Sequence, residues 1–244
     1  LPLTSLLLLS ISTVLTSALS GIVGMAGGMA LLSVMTFFLP MQALIPLHGA
    51  VQAISNSSRL FFLRKHFHKK IAFNYALGLI PGTFASVFLI QYVSNTTPAL
   101  LILVALIFYS VFRPKGFPAI MIPLWSFSLV GFVAGFLGPM IGATGPLVSP
   151  FFLRRDLKKE EIIATQACAQ FFGHVLKFPA FIALGFNYGD YLSMLALLVV
   201  ASLIGTKLGV NALKKMPESF FQILFKSVLT LSGARLLYTV FWSH

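Results

Sequence analysis

Two runs of polar side chains interrupt an otherwise apolar chain. His48, Gln52, Ser55, Asn56 and Arg59 are spaced i, i+4, i+7, i+8 and i+11, which places them on one face of a helix. Thr165, Gln166, Gln170, His174 and Lys177 form a second stripe of the same kind. Amides and hydroxyls donate to an oxyanion without committing a fixed charge, while Arg59 and Lys177 raise the local potential. His48 and His174 are the groups through which a proton could be linked to such a site. Polar side chains in apolar segments are costly and generally face an interior or a cavity, so the two stripes are expected to converge. The alternative is interhelical hydrogen bonding, worth about 0.6 kcal/mol per contact in a membrane. Arg59 would then be a boundary anchor, and His48 a side chain wetted at the outer end of its helix.

Two glycine-rich stretches accompany the stripes. Gly21, Gly24, Gly27 and Gly28 lie in one, and Gly135, Gly138, Gly142, Thr144 and Gly145 in the other. Glycine allows a tight turn and leaves backbone N–H groups approachable, and a helix starting after the turn directs partial positive charge at an anion. Neither stretch carries a charge, so both are expected to be tips buried at depth, with some of the segments re-entrant. Close helix packing through small residues is the alternative use of the same glycines. The candidate substrate-binding set is therefore Gly24, Gly27, Gly28, Gln52, Asn56, Gly138, Gly142, Thr144, Gly145, Gln166 and Gln170. His48, Arg59, His174 and Lys177 are its electrostatic or proton-linked neighbours.

The elements that must hold these residues follow from composition. Of 244 residues, 58% are hydrophobic and 9% charged, against about 25% charged in a soluble domain. A bilayer core needs roughly 20 apolar residues per helical crossing, and the chain divides into ten apolar segments. They cover 3–23, 25–39, 44–63, 71–92, 98–112, 118–137, 139–153, 161–184, 191–211 and 219–242. Each backbone polar group in lipid must be satisfied within its own segment, so the expected class is an all-α, polytopic integral membrane protein embedded in the lipid bilayer.

The 17 Lys and Arg, set against 5 Asp and Glu, give a net charge of +12. The basic residues flank apolar runs, which argues for topology signals and against nucleic-acid binding. They cluster at Arg59 to Lys70, Arg113 with Lys115, Arg154 to Lys159, and Lys214 with Lys215, always an even number of segments apart. All four clusters can share one side, the cytoplasmic one by the positive-inside bias, with both termini outside. Lys207, Lys226 and Arg235 lie deeper and are expected to snorkel or to pair with helix ends.

A repeat is expected as well. At an offset of 114 residues Gly21, Gly24 and Gly28 fall on Gly135, Gly138 and Gly142, and Gln52-Ala53 falls on Gln166-Ala167; Gly82-Thr83 falls on Gly205-Thr206 at an offset of 123. An odd number of segments per half makes the halves oppositely oriented. The reading is two inverted-topology repeats of about five segments: an N-terminal half at 1–113, a cytoplasmic linker at 114–117 and a C-terminal half at 118–244. Inverted repeats are a transporter signature, with the substrate near the midplane where the halves meet.

Neither an acid pair nor a His-Glu-x-x-His metal motif occurs, which weighs against a membrane enzyme. Cys168 has no partner cysteine, so neither a disulfide nor a paired zinc site is expected, and no cofactor is implied. No carboxylate lies in an expected span, which argues against a carboxylate proton relay. Anion export needs none, because an inside-negative potential drives it at about 2.3 kcal/mol per charge per 100 mV.

A first helix running into Gly21-x-x-Gly24-x-x-Gly27-Gly28, a Gln52 to Arg59 stretch ending in a basic loop, and a second glycine-rich copy at Gly135 to Gly145 resemble the TauE/SafE sulfite exporters. The resemblance spans nearly the whole chain. It implies a bacterial or archaeal plasma-membrane exporter of sulfite, sulfoacetate or related organosulfonates, built from two homologous halves. The glycine motifs and the helices bearing Gln52 and Gln166 are the residues it carries over. Pro139, Thr144 and Pro146 in the second copy depart from the first and put strict two-fold equivalence in question. An exporter of another small anion, such as a carboxylate, and a non-transporting membrane scaffold are the alternatives.

Overall fold

The computed structural model describes residues 2–89, 97–112, 121–141, 144–183 and 185–242. Among them the chain is all-helical, with eleven α-helices. The first half holds α1 (Leu3–Val23), α2 (Ala26–Met35), α3 (Met41–Phe62), α4 (Lys69–Leu89) and α5 (Thr97–Phe112). The second holds α6 (Phe127–Ile141), α7 (Gly145–Phe152), α8 (Lys159–Val175), α9 (Lys177–Ala183), α10 (Leu192–Lys215) and α11 (Glu218–Trp242). Three helical stretches, Leu3–Val23, Tyr188–Lys215 and Glu218–Tyr238, are long and apolar enough to cross a membrane. The outward side of α4 carries Phe73, Leu77, Ile80, Phe84 and Phe88, an apolar stripe at helical spacing suited to lipid rather than water.

The ten expected segments are present with three differences. The second and seventh are too short to cross. Ten residues of α2 and eight of α7 span about 15 and 12 Å at 1.5 Å per residue, against a hydrocarbon core of about 30 Å. α2 packs back against α1, and α7 lies among α5, α8, α2 and α11 with a lesser contact to α6. The eighth segment is split between α8 and α9 at Leu176. Pro179 has no N–H to offer the Val175 carbonyl, so the ladder is interrupted there. The sixth starts late, with a single 3-10 turn at Leu124–Ser126 before α6, because Pro123 disfavours helix at the preceding Ile122.

Helix pairing links the halves. α1 packs on α10 and α4 on α6, while α2 meets α7, α3 meets α8 and α5 meets α11. Exchanging α1–α5 for α6–α11, with α8 and α9 taken together, returns these same pairs. The two most intimate pairs are parallel and depend on glycine. A Cβ on Gly205 or Gly209 would collide with the carbonyl of Val14 or Ala18, and one on Gly78 or Gly82 with that of Ser128 or Phe132. Gly21 and Gly135 are not part of any turn. They sit inside α1 and α6, where a Cβ would meet the backbone of Gly209 and of Leu79, so packing is their role.

The structure also shifts the repeat register. α3 begins at Met41 and α8 at Lys159, 118 residues apart, whereas the α1/α10 and α4/α6 contacts keep 114, Gly209 on Ala18 matching Gly82 on Phe132. On α3 and α8 the match of Gln52 with Gln166 at 114 is thus one helical turn out of step. A four-residue slip leaves side chains on the same helix face, which is why matching residue types could not expose it. At 118, Gln52 corresponds to Gln170, Arg59 to Lys177 and Gly27 to Gly145. The junction at 114–117 lies outside the described residues.

Arg113 and Lys115 lie outside the described residues; the other three of the four basic clusters meet at one end of the bundle. There the His68 N–H donates to Thr165 Oγ1 at 2.9 Å, Arg154 Nη1 to the Ile122 carbonyl at 2.7 Å, and Lys159 Nζ to the Met216 carbonyl. Arg154 also forms a two-pronged ion pair with Asp156, at 2.9 and 2.8 Å. Those bonds hold the Asp156 carboxyl below its ordinary range. At the opposite end Leu6, Phe38 to Pro40, Asp190, Tyr191, Ser193 and Met194 surround a cavity of about 390 Å³.

Candidate functional site

The two short helices meet tip to tip inside the bundle. In the first, α1 ends at Val23 and is capped by Gly24, whose φ of +84° lies in the left-handed region that glycine adopts without strain, and α2 starts two residues after that glycine. In the second, α6 ends at Ile141 and α7 starts at Gly145 after Thr144. Gly145 abuts Met25, where a Cβ on the glycine would stand 2.8 Å from the methionine Cβ. Ser149 Oγ steadies the first turn of α7 by donating to the Gly145 carbonyl at 2.7 Å.

A small cavity of about 20 Å³ lies at this junction, room for about one water molecule. Met25, Gly28 and Met29 bound it from the first tip, and Thr144 and Gly145 from the second. His48 and Gln52 of α3 face Gln170, Gly173 and His174 of α8 across it, with Lys177 at the start of α9. Among the described residues, Lys177 is the only lysine, arginine or acidic residue in this lining. The His48 and His174 rings touch edge to face, with centroids 5.7 Å apart. His48 Nε2 lies 2.8 Å from the Gly28 carbonyl; the carbonyl can only accept, so Nε2 carries the proton. His48 Nδ1, His174 Nδ1 and Gln170 Nε2 are buried atoms without a hydrogen-bond partner.

Of the residues singled out from the sequence, Gly28, His48, Gln52, Thr144, Gly145, Gln170, His174 and Lys177 are brought together around this cavity. Gly138 stands just behind it, where a Cβ would lie 3.4 Å from Thr144 Cγ2 and 3.7 Å from Lys177 Cε. The others do different work. Gly27 packs in α2 against the Thr16 carbonyl and Ser20. Gly24 makes the turn, with Gln166 Oε1 against its α-carbon. Gln166 does not reach the cavity, and its Nε2 donates to Ser149 Oγ at 3.3 Å. Asn56 Nδ2 donates back to the Gln52 carbonyl at 2.8 Å. Gly142 lies outside the described residues.

Arg59 is no boundary anchor. It is fully buried and Nη1 donates to the Gly24 carbonyl at 2.8 Å. His48, at 1% exposure, is not wetted either. Thr165 leaves the stripe, because its hydroxyl donates to the Glu161 carbonyl and accepts from His68 at the basic end. Arg235 is tied to Ser33 on α2, whereas Lys207 and Lys226 are exposed as snorkelling requires. Met25, Met29 and Gly173 were missed. Gly173 lies three residues after Gln170 and four before Lys177, a spacing that already puts it on the stripe.

The chain matches the family described as sulfite exporter TauE/SafE over residues 9–236. The protein belongs to the TauE/SafE family. TauE/SafE proteins are membrane exporters of sulfite and related anions. The comparisons with curated proteins and with solved structures returned no match.

Proposed function

We propose that this TauE/SafE protein exports a small sulfur-containing oxyanion, sulfite, sulfoacetate or a related organosulfonate, across the plasma membrane through the cavity between its two inverted halves. The basic end is cytoplasmic in this reading. What supports it most is the lining, in which one lysine and several amide, hydroxyl and imidazole groups converge from both halves with no carboxylate among them. Gln52, Gln170 and Thr144 would donate to the oxygens and Lys177 would balance charge. Room for about one water is too little for such an anion, so this is a closed state. Parting the helix tips at Met25 and Gly145 toward one end or the other would give alternating access.

The test is sulfite efflux from proteoliposomes at clamped membrane potential, with sulfoacetate, acetate and chloride as competitors. Saturable flux that grows with inside-negative potential, yields to sulfoacetate and falls roughly tenfold or more in Lys177→Gln is expected, the loss of one charge-assisted contact being worth about that much. Equal competition by acetate would transfer the reading to a carboxylate exporter. Absence of flux for every anion from inserted, folded protein would transfer it to a scaffold.

A further inference from the structure

Arg59 is held in an arrangement that the cavity does not account for. Its side chain is 0% exposed, yet only Nη1 has a partner, the Gly24 carbonyl at 2.8 Å. Nε and Nη2 are buried with no hydrogen bond. Those two nitrogens form one edge of the guanidinium, with their N–H bonds side by side, the fork that grips two oxygens of one anion. Arg59 is also absent from the cavity lining. It lies seven residues beyond Gln52 on α3, about 10 Å along the helix axis, on the side of the basic end.

A buried charge requires a counter-charge, and the chain has none to give. Its only five carboxylates are Asp156, Glu160, Glu161, Asp190 and Glu218. Each is bonded to a neighbour within four residues in sequence, in a loop or a first helical turn. Asn56 Oδ1, three residues before Arg59 on α3, is likewise buried without a partner. No side chain neutralises the guanidinium, and its paired donors are presented together.

We infer that the Nε/Nη2 edge of Arg59 is a second anion station, specific for oxyanions, lying between the basic end and the cavity. A sulfite, sulfonate or carboxylate group can place two oxygens on that edge, whereas a halide cannot. The inference shares with the proposed function the reading of the α3/α8 interface as an anion path, but it does not depend on which oxyanion is exported. An anion entering from the basic end meets Arg59 first and passes to Gln52, Gln170 and Lys177, so the path holds two stations in series.

The experiment reads thermal stability of the purified full-length protein in detergent at constant ionic strength, with sulfite, methanesulfonate, acetate or chloride as probe. Oxyanions should raise the melting temperature of the wild type and chloride should not. In Arg59→Lys, which keeps the charge and loses the fork, apparent oxyanion affinity should fall tenfold or more. Asn56→Asp, one turn from Arg59, supplies an internal carboxylate; it should raise the melting temperature without added anion and abolish the oxyanion response. This second variant covers the case in which Arg59→Lys does not fold. A wild type indifferent to every oxyanion, an unchanged response in Arg59→Lys, or an undiminished response in Asn56→Asp would each overturn the station and leave Arg59 as a cap on Gly24. Stabilisation through Arg59 without sulfite flux would sink the export reading and leave the station standing.

Discussion

The helix breaks of the two halves solve the same steric problem and then diverge. At the first, Gly24 turns the chain, Gln166 presses on its α-carbon, and Arg59 holds its carbonyl from an α3 that runs unbroken to Phe62. At the second, the position equivalent to Arg59 is Lys177, which begins α9 after α8 has broken, and which lines the cavity. One basic residue ties down its own half's turn, and the other stands at a discontinuity facing the cavity. Pseudo-symmetry has supplied two positive charges at related places, and local breakage decides which of them is built into the scaffold.

The largest effect should come where the halves are alike. Gly82→Val and Gly209→Val each force a side chain into the backbone of a parallel neighbour, Phe132 in one case and Ala18 in the other. Both are expected to abolish folded protein, as overpacking against a backbone that cannot yield does, and monodispersity on size-exclusion chromatography would check it. A strong loss at only one of the two would break the equivalence of these interfaces. Next come the glutamines. Gln52→Leu and Gln170→Leu should each reduce sulfite flux about tenfold, whereas Gln166→Leu should cost stability and leave the KM alone. An unchanged KM in Gln170→Leu with a raised one in Gln166→Leu would restore the 114-residue register. The smallest effect belongs to the Arg154–Asp156 pair, which has no counterpart among the described residues of the first half. Asp156 is half exposed, so Asp156→Asn should cost less than about 1 kcal/mol. Because its folded pKa is depressed, that contribution is present above the unfolded carboxyl value and fades as pH falls through the folded one. The difference between wild type and variant in thermal denaturation should therefore close in acid.

Much of this was legible in the residues. Apolar length set the helices, charge parity put three of the basic clusters at a common end, and helical spacing put His48, Gln52, Gln170, His174 and Lys177 on converging faces. What escaped was anything that depends on one helical turn. Glycines serve turns and close packing equally well, so Gly21 and Gly135 could not be told from Gly24 without coordinates. A match at i and a match at i+4 sit on the same face, so Gln166 was taken as the mate of Gln52 in place of Gln170. Burial of Arg59 was hidden because its partner is a backbone carbonyl, which no side-chain pattern advertises.

The crossed pairing of the helices bears on how the molecule is made. α4 and α6 are close in the chain, and Gly82 can find Phe132 while the remainder is still being synthesised. α1 emerges before both, but Gly21 must wait for Gly209, 188 residues further on. Contacts of such separation form late and leave their partners uncovered in the meantime. The first hairpin therefore spends most of translation without its lateral support, and the site it helps to build closes only when α10 has been inserted.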